Sequence, residues 1–161
     1  MRMVKAVKPG EGKIITDAGD FYIFKAITED SGGAYTFLEA IVPPGGGSIP
    51  HIHHREDEGF YILEGHITFY ANDTSFKMGP GSFVNIPKDT VHYFKNLDSV
   101  TAKMLLLYAP AGFERVFFEA GTEVKDLTAP PQPLTEESAR KFLEVAAKYG
   151  TEVVLEPAKK K

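Results

Sequence analysis

Residues 45–65 read GGGSIPHIHHREDEGFYILEG and residues 81–96 read GSFVNIPKDTVHYFKN, and these two stretches decide the fold. Pro43, Pro44 and the three glycines that follow break regular structure and deliver the chain to His51-Ile52-His53. In an extended segment, residues two apart leave the same face of the strand, so the imidazoles of His51 and His53 stand side by side. A third imidazole and a carboxylate would complete a nitrogen and oxygen donor set suited to a first-row divalent ion, with positions left open for a substrate.

Outward from these stretches, short β-rich runs alternate with Gly, Pro, Asn and Asp, the pattern of an antiparallel sandwich or barrel. Strands are expected at 21–27, 35–42, 75–78, 82–86, 91–95 and Ala102–Ala109. Residues 58–63 and 66–71 read as one strand interrupted by a bulge or bend at Glu64-Gly65, with a hairpin turn at Asn72-Asp73. The sheet portion is expected to end near residue 110. Beyond it, Phe113, Val116, Phe117 and Ala120 mark one helical face. After a proline-rich stretch at 130–133, Thr135 is placed to cap a second helix. That helix carries Glu136 and Glu137 at its positive end and stops at Gly150. Its face of Ala139, Phe142, Leu143 and Ala146 predicts packing on the outside of the barrel. The expected organisation is thus a β-barrel over 1–110 and a helical extension over 111–161.

Composition sets outer limits. A chain of 161 residues can bury about 70% of its unfolded surface, enough for a core that needs no covalent staple. There is no cysteine, so disulfides and thiolate ligands are excluded and any metal must be held by nitrogen and oxygen. Lys and Arg total 18 against 22 Asp and Glu, a net charge of −4, and the one basic run is Lys159-Lys160-Lys161. Nucleic acid is not an expected partner. The first residues lack the apolar centre of a signal peptide, and no apolar run reaches membrane-spanning length, so a soluble, cytoplasmic protein is expected.

The two stretches resemble the motifs of the cupin superfamily. The first of these is Gly, five residues, His, one, His, three or four, Glu, six, Gly, met here by Gly45, His51, His53, Glu58 and Gly65. In the second, Gly81, Pro87, His92 and Asn96 match, while Asp89 stands where the family usually has Gly. Asp tolerates the left-handed backbone such a turn requires. The resemblance implies an all-β, jelly-roll barrel with short C-terminal helices. It also implies a metal held by His51, His53, Glu58 and His92, a small-molecule substrate, and a homodimer formed through the apolar runs 21–27 and 35–42. The run EGFYILEG at 58–65 is similar to small quercetin-dioxygenase-like cupins.

Glu58 competes with Glu56 for the fourth ligand place. Glu58 opens a strand on the face of Phe60 and Ile62, whereas Glu56 lies in the charged run 54–57, which reads as a solvated turn. His54 points away from His53 in an extended segment and is expected at the surface or rim. His66 reads as a strand-surface or outer-contact histidine. Tyr61, Tyr70, Asn85, Tyr93 and Phe94 are the pocket-lining candidates. Three imidazoles and a carboxylate suit Fe, Mn, Ni, Co, Cu or Zn alike. The resemblance implies a dioxygenase acting on an enol or phenol, with Glu58 taking the substrate's proton. The alternatives are a metal-dependent isomerase or decarboxylase, and a non-catalytic binding module.

Overall fold

Burial alternates residue by residue along Thr36–Val42 and Ala102–Ala109, so each of these strands sends one face inward. The computed structural model, which describes residues 1–130 and 132–155, builds on that alternation throughout. Pro131 and the lysines at 159–161 lie outside the described residues. The strands are β1 (Lys13–Asp17), β2 (Asp20–Ala26), β3 (Thr36–Val42), β4 (His51–His53), β5 (Asp57–Glu64) and β6 (Ile67–Ala71). They continue with β7 (Thr74–Met78), β8 (Phe83–Ile86), β9 (His92–Lys95), β10 (Ala102–Ala109), β11 (Thr122–Val124) and β12 (Thr151–Val153). Three helices accompany them among the described residues: α1 (Thr28–Ser31), α2 (Glu114–Ala120) and α3 (Glu136–Lys148). None is long and apolar enough to cross a membrane.

A seven-stranded sheet in the order β11-β1-β2-β3-β10-β5-β8 faces a five-stranded sheet in the order β12-β4-β9-β6-β7, and among the described residues every strand pairing is antiparallel. This is the jelly-roll architecture. Between the sheets lie Leu38, Phe60, Ile62, Ile67, Phe69, Met104 and Leu106, all at most 1% exposed. Burying each such side chain is worth about 2 kcal/mol, which makes this layer the main stabilising element.

Gly65 shows how sequence becomes topology. The expected single strand 58–71 is in fact two strands in different sheets, because the chain crosses from one sheet to the other at this residue. Gly65 has φ 69°, and a Cβ there would lie 2.9 Å from Ala102 Cα, so both the turn and the close approach demand glycine. Asp89 adopts φ 66°, the left-handed conformation expected of it.

The C-terminal part departs further from expectation. The strands β11 and β12 extend the sheets by pairing with β1 and β4, so the sheet portion does not end near residue 110. Three-residue strands carry too little periodicity to read locally; their pairing comes from partners more than 90 residues away. Thr135 caps α3 by accepting from Ser138 N. At the start of α2, the buried Glu114 accepts from Thr28 N (2.9 Å), Thr36 Oγ1 (2.6 Å), Gly112 N (2.9 Å) and the Thr28 hydroxyl. Burial alone would push this carboxyl up, but those donors hold it below the usual range and pin α2 to the barrel. The runs 21–27 and 35–42 fall on interior strands of the larger sheet, not on its edges.

Candidate metal centre

His51 and His53 leave the inner face of β4, and β9 runs antiparallel beside it with His92 directly opposite His51. Glu58 arrives from the other sheet, on β5, where it faces Tyr108 of β10. All four residues are buried, with Glu58 2% exposed. Glu58 Oε2 lies 2.7 Å from His92 Nε2, 3.1 Å from His53 Nε2 and 3.9 Å from His51 Nε2. One donor atom from each residue falls within 4.8 Å of the other three.

The outer nitrogens determine what these groups can do. His51 Nδ1 donates to Ile49 O at 2.7 Å, and His92 Nδ1 donates to Thr90 O at 2.9 Å. A carbonyl can only accept, so both neutral rings carry their hydrogen on Nδ1 and turn an Nε2 lone pair inward. His53 Nδ1 lies 2.7 Å from Glu56 Oε1 and 3.2 Å from Thr151 Oγ1. His51 Nε2 and His53 Nε2 are then 3.1 Å apart. Two lone pairs at that separation repel unless a proton or a cation lies between them, and a carboxylate converging on the same point favours a cation. The donor set fits a divalent transition metal.

In the metal-free chain a proton takes the cation's place. Burial pushes His51 down. Burial would also lower His53, but Glu56 and Glu58 outweigh it and raise the ring to about 9. Burial acts to raise Glu58, yet the three imidazoles hold it well below the usual carboxylate range, so it is ionised.

A cavity of about 250 Å³ reaches His51 and Glu58. Its wall is aromatic: Tyr22, Phe94, Tyr108, Phe113, Phe117 and Phe142. Phe113 packs edge-on against His53, ring centres 4.5 Å apart. Leu134, Ala139, Leu143 and Leu155 form the C-terminal rim, so α3 closes one side of the cavity rather than merely resting on the barrel. Behind the lining residue Tyr22, Asp20 is fully buried and accepts from the Tyr22 hydroxyl at 3.3 Å. Burial pushes Asp20 up to about 8, outweighing that hydrogen bond, the Gly47 amide and Lys95, and so it holds a proton at neutral pH. Gly46 packs directly on this carboxyl: a Cβ there would collide with Asp20 Oδ1.

Several sequence expectations are corrected. Glu56 is 3% exposed and lies against His53, not in a solvated turn. Of the five pocket candidates only Phe94 lines the cavity. Tyr61 and Asn85 point outward from β5 and β8, and Tyr70 and Tyr93 stack on each other outside the smaller sheet with centres 4.4 Å apart. In each case an inward neighbour, such as Phe60 or Phe69, fixes the opposite phase. His66 is a surface residue 3.5 Å from Asp98 Oδ2. His54 is exposed as expected, between Asp89 (2.7 Å) and Glu152 (3.0 Å), and their carboxylates raise it. Tyr22, Tyr108 and Thr151 join the site without a sequence signal read for them, and Phe113, read only as part of a helical face, lines the cavity. The inward alternation of β10 would have indicated Tyr108, but nothing local marks Thr151.

The cupin domain model matches residues 38–108. Over 127 residues the chain is 28% identical to the quercetin 2,3-dioxygenase of Bacillus subtilis, an alignment covering 79% of this chain and 37% of that protein. It thus spans little more than a third of that relative's length. Over 100 residues it is 30% identical to the uncharacterized protein MJ1618 of Methanocaldococcus jannaschii, covering 62% of this chain and 75% of that one. Among solved structures, a predicted oxalate decarboxylase from Thermotoga maritima superposes with a TM-score of 0.62 at 19% identity, covering 66% of this chain and 99% of that one. At that identity the likeness concerns the fold alone.

Proposed function

This chain belongs to the cupin superfamily, and from that premise we propose that it is a metal-dependent dioxygenase acting on a small enol or phenol. The observation that carries the reading is the cavity: an aromatic wall leading to His51 and Glu58, with Asp17 as a further lining carboxylate. Among the described residues, no lysine or arginine lines it. Beyond the charge of the metal itself, a multiply charged anion such as oxalate would meet no lysine or arginine, whereas a flat ring would meet Phe113, Phe117 and Phe142. At about 250 Å³ the space lies below the usual range for drug-sized ligands, which favours a substrate of one or two rings. The likeness to quercetin 2,3-dioxygenase supports the same class of chemistry.

A redox-active divalent ion held by His51, His53, His92 and Glu58 would supply Lewis acidity toward an ionised hydroxyl and one-electron chemistry toward dioxygen. The chain's own residues do the rest. The rings orient the substrate and exclude water, which strengthens every polar interaction at the inner end of the cavity. Glu58 is ionised and faces the same point as the three Nε2 atoms, so its carboxylate is placed to take the substrate's hydroxyl proton. Tyr108, opposite Glu58 on β10, is held well above its usual range by burial and then by the Glu58 charge, and stays protonated as a donor.

The test is oxygen uptake. Metal-stripped protein is loaded with Fe(II), Mn(II), Ni(II) or Co(II) in turn and given quercetin, catechol and oxalate. Oxygen consumption matched to loss of a phenol is the expected result. Turnover without oxygen would move the protein to the isomerase or decarboxylase class, and no turnover with any ion would leave a binding module.

A further inference from the structure

The strand carrying two of the four donors is covered on its outer side by the C-terminus. In the smaller sheet β12 pairs with β4, setting Thr151 opposite His53 and Val153 opposite His51. The clasp is extended on both sides. His54 N donates to Gly150 O at 2.9 Å, and Val154 N donates to Pro50 O at 2.9 Å. The same segment follows directly on α3, whose Ala139, Phe142 and Leu143 line the cavity. Both α3 and β12 lie beyond the residues matched by the family model, which end at 108.

Thr151 is itself 2% exposed, and its Oγ1 is 3.2 Å from His53 Nδ1. An imidazole ligand keeps its direction only if its outer nitrogen is held. His51 and His92 are held by carbonyls of their own strand entries, Ile49 and Thr90, two residues away. His53 differs, since its outer nitrogen meets two side chains, Glu56 from the same loop and Thr151 from 98 residues further along. The Thr151 hydroxyl can accept the Nδ1 hydrogen and keep the Nε2 lone pair turned inward.

We propose that Thr151 is a positioning residue for His53, and that α3 and β12 form a cap whose docking is coupled to metal binding; this rests on reading the four-residue cluster as a metal site. Coupling of this kind is reciprocal. If the docked cap improves metal affinity, the metal stabilises the docked cap by the same factor.

The probe is Co(II), titrated into metal-free wild type, Thr151→Val and Thr151→Ser, and followed by calorimetry and by visible absorption. Valine keeps the β-branched shape and removes the hydroxyl, and serine restores the hydroxyl. Thr151→Val should weaken Co(II) binding by about 10-fold or more and change the absorption band, with Thr151→Ser returning most of both. Amide exchange at residues 151–154 of the wild type should slow when Co(II) is added. Equal affinity and an unchanged band in Thr151→Val would overturn the positioning role, and exchange indifferent to Co(II) would overturn the coupling. Melting of the metal-free variants reports folding; if the valine variant does not fold, Thr151→Ala takes its place in the Co(II) titration, with the same result expected and the same result overturning the role, and the wild-type exchange still tests the coupling. Failure of the wild type to bind Co(II) at all is a different outcome, which removes the metal site and this inference with it.

Discussion

Asp20→Asn should make this protein more stable at neutral pH, although it removes a charge-capable group beside the cavity. Asp20 is fully buried, and its carboxyl is raised from 3.8 to about 8 by burial. A group with a raised folded value contributes most stability below its unfolded value and loses it as pH rises toward the folded one. For Asp20 the window therefore runs from about 4 to 8, because the unfolded chain releases the proton that the folded chain must retain. At about 1.4 kcal/mol per pH unit, the penalty is roughly 4 kcal/mol at pH 7 and about 2 kcal/mol at pH 5. Asparagine does not ionise and keeps an oxygen for the Tyr22 hydroxyl, at a pH-independent cost of about 1 kcal/mol for rearranged hydrogen bonds. The variant should thus exceed wild type by about 3 kcal/mol at pH 7 and by about 1 kcal/mol at pH 5. Glu58 and Glu114 are lowered in the fold, so they add a slope of their own as pH falls toward the unfolded value of 4.5, but it is common to both proteins and cancels in the difference. His53 adds a slope above about 6.5, but it is common to both proteins and cancels in the difference. Urea denaturation of chelator-treated wild type and variant at pH 5, 6 and 7 measures it. A stability difference that does not change with pH would refute the claim that Asp20 is buried as the acid.

Elemental analysis should find a divalent transition metal in the purified wild type, strongly reduced in His51→Ala, His53→Ala and His92→Ala and unchanged in His54→Ala. Because imidazole binds metal only when neutral and His53 is raised to about 9 in the metal-free chain, metal affinity should fall as pH drops below about 9, followed with a chromogenic chelator. Glu58→Gln should keep much of its metal and lose most oxygen uptake; loss of metal as complete as in His51→Ala would make Glu58 a structural ligand instead. Light scattering should give a homodimer, twice 17.7 kDa, joined through the outer face that exposes Tyr61, Phe83 and Leu107. Phe83, 59% exposed, packs over Gly59 on this face, and Phe83→Lys should yield a monomer.

The legible parts of this fold are those whose physics is local. Two imidazoles two residues apart on a strand, a break at Gly65 and a threonine capping a helix each follow from the backbone geometry of their own few residues, whereas the crossing between sheets at that break does not. The inward positions of Glu58, Phe60 and Ile62 follow in the same way, and the same phase would have turned Tyr61 outward. The strands β11 and β12 lay out of reach because three residues carry no period; they exist because β1 and β4 offer them hydrogen bonds. Glu56 failed for a related reason. A charged run normally seeks water, and only the approach of His53 Nδ1 to 2.7 Å, in a fold already closed, makes burial of that carboxylate tolerable.

That division bears on which reaction the site performs. The motif stretches bring together four donor groups that suit several ions and several chemistries, so they cannot by themselves select among oxygenation, proton transfer and simple binding. Selection falls to the walls. Tyr22 comes from β2, Tyr108 from β10, Phe113 and Phe117 from the region of α2, and Phe142 and Leu143 from α3, so most of the surface a substrate would touch lies outside both motifs. The same C-terminal segment that supplies Phe142 also supplies Thr151 to His53. Part of the substrate's wall and the orientation of one ligand are therefore set by one stretch of chain. A change there that alters which ring fits the cavity also alters how firmly His53 is held, and the two effects should appear together as the cap is varied.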